Sequence, residues 1–201
     1  MTEAEWDACT NPREMLASLR HTTSDRKLRL TAIGCTTRLQ HQPFFVRAIQ
    51  HALDLAEKDA DGRASQEEMA TARAAVKAVG GIIGLMADWA VSDSESAFKV
   101  AWACVCGIAN ESVEVCDLIR DIFHNPYRPV TFASAWLSWN DRLIPRLAKS
   151  IYDDRAFDRM PILADALEEA GCTDTDILNH CRQPGEHVRG CWVVDLLLGK
   201  K

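Results

Sequence analysis

The sequence has no long apolar run and no strand-like alternation, and these absences exclude several classes of protein. Uncharged apolar stretches such as that near residues 79–87 are too short to cross a bilayer, which takes about 20 residues. The first seven residues already include Glu3 and Glu5, so they do not resemble a secretory signal. No segment alternates apolar and polar residues between hairpin turns, so a sheet is not expected. We therefore expect a cytoplasmic protein with no membrane partner.

An excess of basic charge and the common catalytic motifs are also missing. Lysine and arginine number 23 against 29 acidic residues, which gives a formal net charge of −6. Nucleic-acid binding needs a basic surface, so no nucleic-acid partner is expected. The sequence has no Gly-x-Ser-x-Gly element. The glycines at 80, 81 and 84 lack the Lys–Ser/Thr pair of a phosphate-binding loop, so close helix packing explains them better. The sequence therefore favours a protein that is not an enzyme.

Helix signals are present along most of the chain. Asn11 precedes Pro12, and Ser65 lies three residues before Glu68, so both serine and asparagine are placed to cap a helix. Apolar residues recur at steps of three and four on one predicted helix face, namely Phe98, Trp102, Val105, Ala109, Val113, Cys116, Ile119 and Phe123. The predicted helices are 2–9, 12–20, 25–40, 43–60, 66–91, 94–123, 141–152, 159–170, 174–181 and 186–198.

These signals predict one all-α domain over residues 1–201, a length that fits a single domain. We expect an N-terminal helical bundle (1–124), a connecting loop rich in tryptophan and proline (125–140), and a small C-terminal helical subdomain or cap (141–201). Pro126 and Pro129 keep the loop out of helical geometry, because the residue before a proline is pushed away from it.

Thiols and imidazoles gather in residues 171–201, where we find Cys172, His180, Cys181, His187 and Cys191. Sulfur and imidazole nitrogen are the ligands that zinc prefers, and four of them close a tetrahedral site. His187 and Cys191 are four apart and would share a face of the predicted helix. The adjacent His180 and Cys181 would diverge by about 100°, and Cys172 is the alternative to one of them.

The competing interpretation of these cysteines is that they fill space between helices as small apolar side chains. All eight cysteines of the chain are irregularly spaced, none forms a Cys-x-x-Cys pair, and a cytoplasmic protein keeps its thiols reduced. We expect this interpretation, with no cofactor, and keep zinc as the alternative.

The loop supplies a candidate interaction surface. Asn125, Arg128, Trp136 and Trp139 have the composition of an interface hot spot. The same aromatic side chains would also suit a loop that plugs the gap between two helical layers. The leading hypothesis is therefore a non-enzymatic helical module that binds another protein or acts as a scaffold. The alternative is a small zinc-type protein that uses the C-terminal Cys/His group.

Several strings of residues carry a family resemblance. They are Ile151–Arg159, Pro161–Gly171, His180-Cys-Arg182 and His187-Val-Arg-Gly-Cys-Trp192, with Asn125-Pro126 in the loop. On these strings the chain resembles a bacterial family of planctomycete-type paralogues, which has no assigned activity, so the resemblance implies no catalytic residue. His124 departs from the small residue expected before Asn125. The stretch 163–171 is also faintly similar to a short helical companion domain of repeat proteins, which favours an interaction module.

Overall fold

The structure, a computed structural model, describes residues 1–41, 45–90, 97–107, 112–128 and 130–200. These ranges contain α-helices and no β-strand, which confirms the all-α prediction. The helices are α1 (Glu3–Ala8), α2 (Pro12–Ser18), α3 (Asp25–Thr37), α4 (Arg47–Ala60), α5 (Gln66–Val79), α6 (Gly81–Ala90), α7 (Ala97–Gly107), α8 (Ser112–Phe123), α9 (Trp139–Asp154), α10 (Met160–Glu169), α11 (Thr175–Arg182) and α12 (Trp192–Leu198). Among the described helices, none combines the length and apolar character needed to cross a membrane.

The chain divides into two compact units, residues 3–119 and residues 120–201. The sequence placed the end of the N-terminal bundle a few residues later, at 124. The description of the chain as one domain stays a prediction.

Local capping signals set several helix starts as the sequence predicts. The side chain of Ser65 accepts a hydrogen bond from the backbone N–H of Glu68 at 3.2 Å, and Glu68 accepts from the N–H of Ser65 at 2.8 Å. This reciprocal pair satisfies two donors that the first turn of α5 leaves without helical partners. Asn11 caps α2 through the N–H of Arg13, and Pro12 takes the first helical position.

Two predicted long helices are each described as two helices. Gly80 and Gly81 both have φ of +67°, which ends α5 and starts α6 within the predicted 66–91 helix. Gly84 does allow close packing, because a Cβ there would lie 3.2 Å from the carbonyl oxygen of Val76. Of the predicted 94–123 helix the structure describes α7 and α8, and residues 108–111 between them lie outside the described residues. Val113 of its apolar stripe is 51% exposed. The predicted starts at 43 and 94, together with Ala109 and Pro129, lie outside the described residues.

In the first unit, α3 is the central helix and packs against α4, α6 and α7. Almost all of α3 from Leu28 to Thr36 is buried, so it lacks a polar face over this length. A Cβ built at Gly34 would lie 2.9 Å from Cδ1 of Leu118, a side chain with no exposed surface. A larger residue at position 34 would therefore displace the side chain of Leu118.

In the second unit, α9 to α12 surround one apolar core that contains Ile144, Ile151, Leu163, Ile177 and Val193. Asn140, Asp141 and Arg142 have φ of 46°, 52° and 63°, so the start of α9 is a left-handed turn and not the regular helix predicted from 141. Pro145 follows in the next turn. Proline has no backbone N–H, and this costs little here because an N–H in the first turn of a helix has no helical acceptor.

The packing of Gly34 generates a testable prediction. Replacing a helical glycine by alanine ordinarily stabilises a protein by about 0.5–1 kcal/mol. We expect Gly34→Ala to destabilise this protein by about 1–3 kcal/mol instead, since the buried side chain of Leu118 would have to shift within a packed core. Chemical denaturation of Gly34→Ala, Leu118→Ala and the double variant measures the effect. The alanine at 34 should cost less in the Leu118→Ala background, and equal costs in both backgrounds would contradict the proposed contact.

Candidate metal centre

Four polar side chains from separate elements meet inside the second unit. Asp121 lies in the last turn of α8, His180 on α11, His187 in the loop between α11 and α12, and Cys191 at the N-cap of α12. All four are buried, and one ligand atom from each lies within 4.8 Å of the others. We call these four residues the Asp121 cluster.

The Asp121 carboxylate is at the centre of the cluster. Its Oδ1 lies 2.6 Å from Nδ1 of His187 and 3.1 Å from Nε2 of His180. Its Oδ2 accepts a hydrogen bond from the backbone N–H of Val188 at 2.9 Å. The thiol of Cys191 lies 3.2 Å from Nε2 of His180 and 3.9 Å from Nδ1 of His187.

The loop that carries His187 is held in place by hydrogen bonds of the residues that follow it. The guanidinium of Arg189 donates to the carbonyl oxygens of Tyr152 and Asp153 at 3.1 and 3.0 Å, which satisfies carbonyls at the end of α9. The backbone N–H of Cys191 donates to the carbonyl oxygen of Val188 at 2.9 Å. These bonds fix the approach of His187 to Asp121 even though residues 183–191 are not helical.

Burial and hydrogen bonding shift the pKa values of two members of the cluster. Burial opposes the charged form of Asp121, but hydrogen bonds from His180 and His187 outweigh it and hold its pKa below the ordinary 3.8. Burial raises the pKa of the Cys191 thiol well above 9.0, and the negative charge of Asp121 adds to the effect. Without a cation, the cluster therefore contains a carboxylate and a neutral thiol.

The geometry does not match a nucleophilic triad. In a triad the histidine contacts the nucleophile through one ring nitrogen and the orienting acid through the other. Here His180 faces both Asp121 and Cys191 through Nε2, and His187 faces both through Nδ1. A buried thiol with a raised pKa is also a poor nucleophile, because the thiolate is the reactive form.

The same geometry does fit a metal ion. Each imidazole directs a single nitrogen to a point that the carboxylate and the sulfur also face, so four potential ligand atoms converge. Zinc bonds of about 2.0–2.3 Å place tetrahedral ligand atoms about 3.3–3.8 Å apart. The two nitrogen–sulfur distances of 3.2 and 3.9 Å are close to this range, while the oxygen–nitrogen distances of 2.6 and 3.1 Å would have to widen slightly.

The structure brings together three of the five residues that the sequence selected as metal ligands: His180, His187 and Cys191. Cys172 and Cys181 are buried in the apolar core of the unit and are not in the cluster. Burial raises the pKa of Cys181 to about 12, as expected for a thiol that fills apolar space. All eight cysteines are free thiols.

Two details of the sequence prediction need correction. The predicted helix 186–198 begins only at Trp192, so His187 and Cys191 meet through a loop and not through one helix face. Asp121 was not selected as a candidate. Its position in the sequence could have indicated it, because Asp121 lies three residues after Leu118 and directly before Ile122, at the edge of the apolar face of α8. An unpaired charge there would be costly, so a partner was to be expected.

The predicted interaction residues lie in and around the same unit's core. Trp136, in a 3-10 turn at Ser134–Leu137, is 4% exposed, and Trp139 packs against the core from its edge. Asn125 is buried and accepts a hydrogen bond from the N–H of Tyr127 at 3.0 Å. Arg128 forms an ion pair with Asp176 at 3.1 Å. Their role in binding a partner stays a prediction.

His124 lies beside the cluster and not within it. Its ring is 4.3 Å from that of Trp192, centroid to centroid, and its Nε2 is 3.8 Å from Oδ2 of Asp176. Burial lowers the pKa of His124, so the ring is neutral at physiological pH and contributes apolar contact to the indole.

Comparisons with known proteins assign no family to this arrangement. No family model, no curated protein and no solved structure matches the chain.

We expect Asp121→Asn to destabilise the metal-free protein by about 2–4 kcal/mol, because an amide offers a second donor where Val188 already donates. Since the folded pKa of Asp121 is depressed, its contribution is fully present above pH 3.8 and is lost as the pH falls through the folded value. The stability difference between wild type and variant should therefore narrow in acid. Urea denaturation at several pH values, with chelator present, measures it.

The matched control is Asp117→Asn, one turn earlier on α8 and exposed. It should change the free energy of unfolding by less than about 0.5 kcal/mol. Equal effects of the two substitutions would contradict a special role for the buried carboxylate.

Proposed function

We propose that the second unit binds a divalent metal ion of the zinc class through Asp121 Oδ1, His180 Nε2, His187 Nδ1 and Cys191 Sγ. The observation that carries the proposal is the convergence of one oxygen, two nitrogens and one sulfur, all buried, from four separate elements. When several buried ligand atoms point to a common centre, one cation can take the place of the protons that these atoms would otherwise share.

The donor set favours zinc over the hard cations. Calcium and magnesium take oxygen ligands, and only one of the four donors here is an oxygen. Thiolate with imidazole suits zinc, and copper or cobalt can occupy similar sets. Four protein ligands without an open position are typical of structural zinc sites, in which the ion adds folding energy. The proposed ion therefore stabilises the junction of α8, α11 and α12.

The test is metal content and metal-dependent stability of the untagged protein. Zinc added to metal-free protein should bind as one ion per chain and raise the melting temperature, and a chelator should reverse both effects. Cobalt(II) in place of zinc should give the visible absorption of a tetrahedral thiolate site. No change in melting temperature with zinc, and no cobalt spectrum, would overturn the proposal.

Cysteine variants provide a matched pair for this test. Cys191→Ala removes the proposed sulfur ligand and should weaken zinc binding by about 100-fold or more. This exceeds the effect of about 10–100-fold that follows from changing a residue that only hydrogen-bonds to a ligand. Cys181→Ala removes a thiol next to His180 in sequence that is outside the cluster. It should keep the stoichiometry and the affinity. Equal losses in the two variants would contradict the ligand assignment.

A groove on the second unit favours a second candidate function, the binding of another protein. The groove, of about 480 Å³, has an apolar floor formed by Leu137, Pro145, Leu196 and Leu198. Arg142, Arg146 and Lys149 of α9 line it as well, and their side chains are exposed. Lys149 also pairs with Asp153. The charge and shape of this α9–α12 groove fit an amphipathic helix with leucines on one face and flanking acidic residues.

Peptides of defined charge test the groove. A helical peptide with leucines at i, i+3 and i+7 and flanking glutamates should bind the labelled protein, and the same peptide with lysines should not. Arg146→Glu should weaken binding of the glutamate peptide at least about tenfold, whereas Arg13→Glu, far along the chain on α2, should not. Equal binding of the two peptides, or no effect of Arg146→Glu, would contradict the proposed partner chemistry.

A further inference from the structure

The ring of His180 makes a second polar contact on the side opposite the cluster. Nε2 of Gln183 lies 3.2 Å from Nδ1 of His180. Gln183 is the C-cap residue of α11, and its own backbone N–H donates to the carbonyl oxygen of Asn179 at 2.8 Å. The backbone of Gln183 is therefore fixed about one helical turn after His180, from where its side chain reaches the imidazole ring.

We infer that Gln183 is a positioning residue that selects which nitrogen of His180 carries the proton, and that its amide turns over when the metal binds. The inference rests on the metal site proposed above. An amide side chain suits this role because one end donates hydrogen bonds and the other accepts them, and the two ends have the same shape.

In the metal-free protein the two contacts of the ring are linked. The Asp121 carboxylate only accepts hydrogen bonds, so Nε2 of His180, 3.1 Å away, must carry the proton. The Nε2 atom of Gln183 belongs to an NH₂ group, which only donates, so Nδ1 of His180 is the acceptor and carries a lone pair. The amide of Gln183 meets this requirement by directing its NH₂ group to Nδ1, which is the orientation in the structure.

In the metal-bound protein these requirements reverse. The lone pair of Nε2 bonds to the ion, so the Nε2 proton leaves and Nδ1 takes one up from solvent. A protonated Nδ1 needs an acceptor, and Gln183 supplies its Oε1 after a half-turn of the amide. Cys191 releases its thiol proton at the same time, because a metal-bound cysteine is a thiolate.

His187 lacks a comparable partner. Its Nδ1 faces the cluster, and its buried Nε2 has no hydrogen-bond partner among the described residues. Of the two imidazoles, only that of His180 is therefore oriented by a described residue outside the cluster, and this residue is Gln183. Outer-shell partners of metal-binding histidines typically change metal affinity by about 10–100-fold when they are removed.

Three variants test the inference. Gln183→Leu can neither donate nor accept, so we expect zinc affinity to fall about tenfold. Gln183→Glu supplies an acceptor for the protonated Nδ1, so it should bind zinc at least as tightly as wild type at pH 8. Asn179→Glu adds the same charge at an exposed position of α11 and should leave the affinity within about threefold of wild type.

Nitrogen-detected NMR of the His180 ring gives a readout that a purely structural role would not move. We expect the proton on Nε2 in metal-free wild type and on Nδ1 in the zinc form. In metal-free Gln183→Glu each ring nitrogen faces a carboxylate, so we expect a proton on both nitrogens. An unchanged affinity in Gln183→Leu, or the same protonated nitrogen with and without zinc, would overturn the inference.

The two proposals fail in different ways. If wild type binds no zinc, the metal site is wrong and the turning of the amide is wrong with it. If wild type binds zinc through Cys191 but Gln183→Leu binds it equally well, the metal site stands and only the role of Gln183 is lost.

Discussion

The buried carboxylate of Asp121 joins three separate segments of the second unit. An isolated buried charge would cost several kcal/mol, so donors must surround it. They come from His187, His180 and the backbone of Val188, at 2.6, 3.1 and 2.9 Å. The end of α8, the last turns of α11 and the loop before α12 are therefore tied to one point. Arg189 extends this constraint to the end of α9.

Much of the fold could be predicted from the sequence because helix starts are local. Ser65 with Glu68, and Asn11 with Pro12, make their capping contacts within a few residues. Helix ends were harder to predict, since Gly80 terminates α5 inside a pattern that continues across it. Periodicity also overstated the apolar stripe at Val113, because a repeat of three and four does not show whether another element covers that position.

The candidate site was only partly predictable, and the reason is separation along the chain. His180, His187 and Cys191 lie within a short segment, so their clustering is visible in the sequence. Asp121 is 66 residues from His187, and only the fold brings the two together. The sequence also could not separate Cys191 from Cys172 and Cys181. Space-filling explains the two cysteines of the apolar core, whereas Cys191 has polar neighbours on two sides.

The metal-free cluster is itself a competitor for the proposed ion. Asp121 already receives three hydrogen bonds, so zinc must displace the protons of two imidazoles and one thiol from a network that is nearly satisfied. The proposed ion would therefore add to the free energy of unfolding only the difference between the metal-bound cluster and the hydrogen-bonded metal-free cluster. In small zinc fingers the chain is unfolded without metal, and the whole folding energy comes from binding. Here the apolar core of α9 to α12 and the Asp121 network hold the ligands close together beforehand. The metal in this unit would consequently tighten a fold that already exists, and its affinity would be set by how easily the protons leave.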